Sequence, residues 1–163
     1  MFRAYEVNSG LVNITGSTAT QLLYISTPST ADTWLSIFRP MIEAVSSPAP
    51  PSNGSVYFSL CKVTGTKAGG AAVTPAGPLG GQTLASQVTY SSGSTSITGL
   101  TQGAEAGWGE TVAFTSGGAW GDDRENTGFS VYVPQSTQLM VYFTAASGFG
   151  SGCAARMKFC TSE

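Results

Sequence analysis

The chain has 163 residues, 41% of them hydrophobic and only 10% charged, with a formal net charge of −2, 41 Ser or Thr, 21 Gly and no His. A domain of this length buries roughly 70% of its unfolded surface, so a core forms without help from metal or disulfides. Seven scattered Lys and Arg cannot track a phosphate backbone, no run approaches the ~20 apolar residues of a membrane-spanning helix, and the missing histidine excludes a Ser-His-Asp triad.

In chain order, Phe2 to Val7 opens either an extended N-terminal arm over residues 1–10 or the first core strand, with Phe2 and Tyr5 as its apolar anchors. Leu11 to Thr15 is a short strand candidate. Leu22 to Ile25 and Trp34 to Val45 are apolar runs joined by Thr27-Pro28-Ser29-Thr30-Ala31-Asp32, where proline and hydroxyls favour a turn. Pro40 donates no ladder hydrogen bond, so the second run has a bulge there, lies at an edge, or is two strands. Pro48 to Gly54 is a stiff polyproline-like connector that runs over the surface.

From Ser55 to Val63 the two faces carry Val56, Phe58 and Leu60 against Tyr57, Ser59, Cys61 and Val63, which predicts a central strand covered on both sides. Lys67 to Glu105 has no charged residue between its ends and is built of Gly, Ala, Thr, Ser and Pro. A disordered linker carries more charge, so this stretch is expected to be a long ordered loop and the main candidate for an interaction surface. Within or after it, Gln87 to Tyr90, Ser94 to Thr98 and Glu110 to Thr115 are short strand candidates. Phe129, Val131 and Val133 alternate, turn at Pro134-Gln135-Ser136, and resume at Leu139, Val141 and Phe143, which predicts an antiparallel hairpin. At the end, Cys153, Ala155, Met157 and Phe159 share one face while Arg156 and Lys158 take the other.

No segment shows a sustained helical stripe, and about eight to eleven short strands separated by Gly, Pro, Ser and Asn turns predict a jelly-roll-like antiparallel β-sandwich. The expected class is all-β with little or no helix, as one domain over residues 1–163.

The chemistry read from the sequence is that of contact rather than catalysis, and no cofactor or metal is called for. Asp122, Asp123, Glu125 and Asn126 could supply oxygen ligands, yet Arg124 sits among them and the spacing is not that of a calcium loop, so they read as a solvated turn between Trp120 and Phe129. Carboxylate pairs for a hydrolase could come only from Glu105, Glu110 or that cluster. Cys61, Cys153 and Cys160 are an odd number without C-x-x-C spacing and read as thiols; on one strand Cys153 and Cys160 fall on opposite faces. Trp108 and Trp120 have glycine neighbours and are read as loop residues that pack internally, meet a protein partner, or form a glycan platform; Trp34 is read as core.

The order Leu22-Leu23-Tyr24-Ile25-Ser26-Thr27-Pro28-Ser29, then Val56-Tyr57-Phe58-Ser59-Leu60-Cys61-Lys62-Val63-Thr64-Gly65-Thr66, then Gly69-Gly70-Ala71-Ala72-Val73-Thr74-Pro75 resembles a pattern in small virion proteins of tailed bacteriophages. The resemblance covers about residues 20 to 80; Cys61 and Lys62 stand where an Arg-Val pair is usual, and Pro48 to Pro51 is extra. It implies a capsid decoration or cement protein with a jelly-roll-like fold. Such a protein is made in the host cytoplasm, carried on the outer surface of the virion, bound to the major capsid protein and assembled as a homo-oligomer, usually a trimer. Phe2, Tyr5, Trp108 and Trp120 are the expected contacts, with neither nucleic acid nor membrane as partner. The competing reading is a carbohydrate- or receptor-binding module of a phage fibre or tail, which requires exposed Trp108 and Trp120.

Overall fold

The structure, a computed structural model, describes residues 4–14, 19–29, 35–46, 54–77, 86–114, 120–123, 130–145 and 153–162. It is all-β, with antiparallel pairing throughout and no helix among the described residues. Ten strands follow in order: β1 Ala4–Asn8, β2 Val12–Asn13, β3 Thr20–Ser26, β4 Leu35–Ser46, β5 Gly54–Val73, β6 Thr89–Phe114, β7 Trp120–Asp123, β8 Ser130–Val133, β9 Gln138–Ala145 and β10 Cys153–Ser162. They form two layers of a jelly-roll-like sandwich, one an open sheet and the other curled into a barrel.

β10 is the axis of the open sheet. Its predicted alternation is present: Ala155, Met157, Phe159 and Thr161 are buried, while Ala154, Arg156, Lys158 and Cys160 are half-buried on the other face. β1 and β2 pair in tandem along one side of β10 and β4 along the other. Ser9 bridges the gap between β1 and β2, exchanging backbone and side-chain hydrogen bonds of 2.9 Å with the Met157 main chain. β8 and β7 lie in tandem on the far side of β4, opposite Leu35 to Phe38 and Met41 to Ala44. Arg39 and Pro40 fall between those two pairings, and the β4–β10 register shifts at the same point, between Lys158 and Cys160. Of the three readings offered for Pro40, a bulge, an edge or two strands, the register shows the bulge, and it sits where the missing donor leaves no ladder bond unmade.

In the second layer β3, β6, β5 and β9 form a closed ring. The closure uses two very long strands twice: β5 pairs β9 from Val56 to Lys62, β9 pairs β3, and β3 pairs β6 from Thr89 to Ser92, where β6 also holds Ala71 to Val73 of β5. As expected, β5 is central, with β6 on one side and β9 on the other.

This wall has two apolar faces. Toward the open sheet, Leu23, Ile25, Phe58, Leu60, Val141 and Phe143 join Val7, Met157 and Phe159 in the main core. Phe58 and Phe143 meet edge-on with centroids 5.1 Å apart, and Tyr90 of β6 reaches Phe159 of β10 at 6.3 Å. Inside the barrel, Tyr24, Cys61, Val63, Ile97, Met140 and Tyr142 make a second core.

Several expectations are corrected. Ala4 to Asn8 is a paired strand with Tyr5 and Val7 buried, so from residue 4 onward the chain is sheet and not a free arm. Phe2 lies outside the described residues. The predicted hairpin does not form: β8 pairs β4 in the open sheet and β9 pairs β3 and β5 in the barrel. Val133 and Leu139 both lie in the main core. The crossing turn is clasped by Thr27, whose Oγ1 donates to the Pro134 carbonyl at 2.7 Å and accepts from the Thr137 N–H at 3.0 Å. Asp122 and Asp123 lie in β7 and not in a turn; residues 124–129 are outside the description.

Tyr5 and Thr161 are cross-strand partners whose hydroxyls are buried with no hydrogen-bond partner among the described residues. A buried hydroxyl without a partner costs about 1–3 kcal/mol. Thr161→Val is thus expected to leave the urea midpoint unchanged or raised, whereas Phe143→Ala lowers stability by about 3–5 kcal/mol. A clear loss in Thr161→Val would show that its hydroxyl is satisfied.

Candidate interaction surface

The stretch expected as a long loop is mostly sheet. β5 runs on to Val73 and β6 begins at Thr89, so Lys67 to Val73 and Thr89 to Glu105 form a two-stranded ribbon. Gly, Ala and Ser carry little strand propensity, which is why composition alone suggested a loop; here pairing to a neighbouring strand decides the conformation.

The ribbon bends between Val63 and Gly69, where the β5–β6 register shifts between Gly65 and Ala68. Gly65 (φ 116°), opposite Leu100, and Gly99 (φ 78°) lie close together at the corner. A Cβ on Gly65 would stand 2.3 Å from the Gly99 carbonyl oxygen, and one on Gly99 would stand 2.2 Å from that of Thr66. Only glycine allows both the left-handed backbone and this approach. The bend turns Val63, Ile97 and Leu100 onto the barrel core and leaves Thr64, Thr66, Thr98, Thr101 and Gln102 exposed.

Polar contacts fasten the corner. Tyr24 Oη donates to Gln138 Oε1 at 3.0 Å, and Gln138 Nε2 donates to the Gly65 carbonyl at 3.4 Å. Lys67, the one charge on the bend, donates from Nζ to the Gly69 carbonyl at 2.6 Å and lies 5.6 Å from the Tyr24 ring centroid. Its ammonium is thus engaged with the protein's own backbone and an aromatic face. The outward surface of the corner is made of hydroxyls, an amide and bare backbone.

At the other end of the ribbon, the exposed Tyr57 hydroxyl donates to the Glu105 carboxylate. That hydrogen bond, with lesser contributions from desolvation and the carboxylate charge, holds the Tyr57 phenol above the usual tyrosine value of 10.0. Inside the barrel, burial raises the Tyr142 phenol, partly offset by a hydrogen bond with Gln21. Cys61 is buried there with its Sγ accepting from Gln102 Nε2 at 3.4 Å, and neither Cys61 nor Cys160 is in a disulfide.

The residues expected as contacts are dispersed. Tyr5 is buried on β1, at the edge of the open sheet. Trp108 lies in β6 opposite Leu60, and Trp120 lies in β7 opposite Ala44, so both belong to strands of different sheets and neither to a hinged loop. Glu105 and Glu110 both lie in β6. Among the described residues no group of three or more His, Cys, Asp or Glu could hold a metal ion, and no helix is long and apolar enough to cross a membrane. The threonines of the corner were not singled out individually; the charge-free run from Lys67 to Glu105 was a signal for Thr98 and Thr101 alone, since Thr64 and Thr66 lie before it.

Compared with family models, curated proteins and solved structures, the chain matches none of them.

Gly99→Ala is expected to cost more than about 1 kcal/mol, because the residue must hold a positive φ against a backbone oxygen; a urea midpoint equal to the parent's would refute this account of the corner. The Tyr57 phenol, protonated when it donates to Glu105, keeps that contact below its ordinary value and loses it as pH rises past the raised one. Ultraviolet titration should therefore lose its latest-ionising exposed tyrosine in Tyr57→Phe, and Glu105→Gln should bring that ionisation down. An unchanged curve in both variants would contradict the pairing.

Proposed function

We propose that this chain is a structural virion protein that attaches to the outer surface of a phage capsid and stabilises it by bridging major capsid protein subunits. The observation that carries the reading is the uncharged, hydroxyl-lined outer surface of the β5–β6 corner. Docking such a surface desolvates no charge, and Thr64, Thr66, Thr98 and Thr101 can exchange bonds to water for bonds to a neighbour. Short side chains on a paired sheet lose little rotamer freedom when ordered. A modest contact of this kind becomes tenacious when many copies engage a repeating shell, because occupancy of several sites multiplies.

The described charges fit the same orientation. Seven of them, Glu6, Arg39, Glu43, Asp122, Asp123, Arg156 and Lys158, belong to strands of the open sheet, and four, Lys62, Lys67, Glu105 and Glu110, to strands of the barrel, with exposed Lys62 beside the corner; the open-sheet layer carries the larger share and is the one suited to face solvent while the corner faces the shell. The motif order in residues 20 to 80 supports the same class. Attachment through an uncharged surface also implies weak salt dependence.

The test is co-sedimentation of the full chain with tailed-phage heads stripped of their decoration. Thr64→Lys/Thr101→Lys, which puts two cations on the corner, is expected to reduce occupancy about tenfold or more while the fold is kept. No binding by the parent chain to any head tested, or equal binding by the double variant, would overturn the assignment.

A further inference from the structure

We propose that Trp108–Phe114 of β6 is a docking edge for a second copy of this chain, which adds its own Trp108–Phe114 antiparallel about a twofold axis at Thr111. The inference concerns an edge of the barrel and does not depend on what the corner surface binds.

The backbone sets it out. From Trp108 to Phe114, β6 pairs β5 residue for residue, Leu60↔Trp108 through Gly54↔Phe114. On its other side β6 is held by β3 only through Thr89 to Ser92, and among the described residues no strand pairs it beyond that. On the β5 side, the chain beyond Val73 reaches Ala76, which exchanges backbone hydrogen bonds of 2.7 and 2.8 Å with Glu6 of β1. Among the described residues, the Trp108–Phe114 edge of β6 is paired to β5 alone.

Edge strands are normally protected by lysine, proline or a bulge. Between Thr89 and Phe114 there is no Lys, Arg or Pro. The β5–β6 register shifts between Ser92 and Ile97, between Thr98 and Leu100 and between Gln102 and Trp108, so the stretch from Trp108 onward is regular. Seven residues span about 24 Å and can form roughly six to eight interstrand hydrogen bonds.

Charge selects the occupant and the register. Glu110 is the single charged residue of the seven. Paired about Thr111, the two copies overlap along the whole stretch, and Glu110 meets Val112, Gly109 meets Ala113, and Trp108 meets Phe114. An axis at Glu110 would oppose two carboxylates and shorten the overlap, which disfavours that register. The formal net charge of −2 opposes association only weakly. An isologous seam is twofold, in contrast to the trimer that the virion resemblance implies.

Light scattering on the full chain should give twice the 16.7 kDa of one copy. In Thr111→Cys, oxidation should yield a covalent dimer absent from the parent, since Cα atoms paired across a twofold lie about 4.5–5.5 Å apart, within disulfide reach. Should that variant fold poorly, hydrogen exchange on the parent decides: amides of residues 108–114 should exchange more slowly as protein concentration rises. A chain that is monomeric at every concentration, a trimer, or a dimer with neither cross-linking at 111 nor concentration-dependent protection of 108–114 would overturn the proposal. Protection of the same amides by an added capsid segment, with the chain itself monomeric, would replace the second copy by a foreign strand and equally overturn it.

Discussion

Among the described residues three strands are apolar on both faces, and the architecture follows from the need to cover each face. β9 alternates Leu139, Val141 and Phe143 against Met140 and Tyr142, and all five are buried. β5 does the same with Phe58 and Leu60 against Cys61 and Val63, and β3 with Leu23 and Ile25 against Tyr24. An antiparallel sheet with one wet face needs only one packing partner. This wall needs two. The open sheet covers one side, and the β5–β6 ribbon, bent back on itself, covers the other with Ile97 and Leu100. Jelly-roll-like sandwich and barrel are consequences of the same buried strands.

The bend that seals the barrel also produces the molecule's most distinctive surface. Turning hydrophobic residues inward at a tight corner leaves only what alternates with them to face solvent, and here that is threonine and glycine. A corner this close, with opposing carbonyls within reach of any added Cβ, admits no larger residue at Gly65 and Gly99. Core closure and a low-charge exterior thus come from one stretch of chain, and change in one constrains the other. Fold alone does not name a function. The proposed role rests on the physical character of this surface together with the motif order, and on the cooperativity of many weak contacts rather than on a chemically specialised site.

Much of the local organisation was legible in the sequence. Alternation located β10, β9 and the first half of β5, and the two-faced pattern from Ser55 to Val63 correctly indicated a covered central strand. Pro40 marked its own bulge because the loss of a backbone donor is a local property. Where the reading failed, the deciding contacts were distant. Val131, Val133 and Leu139 to Phe143 have the pattern of a hairpin, but the same pattern serves two strands in different sheets, and the pairing of β8 to β4 and of β9 to β3 and β5 separates the cases. The second half of β5 and the first half of β6 have low intrinsic strand preference, so nothing local announced them. Trp108 and Trp120 looked like loop residues because glycine flanks them, yet strands tolerate glycine where a neighbouring strand supplies the order.

Periodicity, composition and the lack of histidine were enough to determine an all-β chain with a core of its own and no Ser-His-Asp chemistry, because burial period and residue chemistry belong to each segment separately. The tertiary structure alone decided which strands share a sheet, that β5 and β6 close a barrel with β3 and β9, and that Thr64, Thr66, Thr98 and Thr101 come to one exposed corner. Those outcomes depend on pairings between residues far apart in the chain, whose energies no single segment encodes.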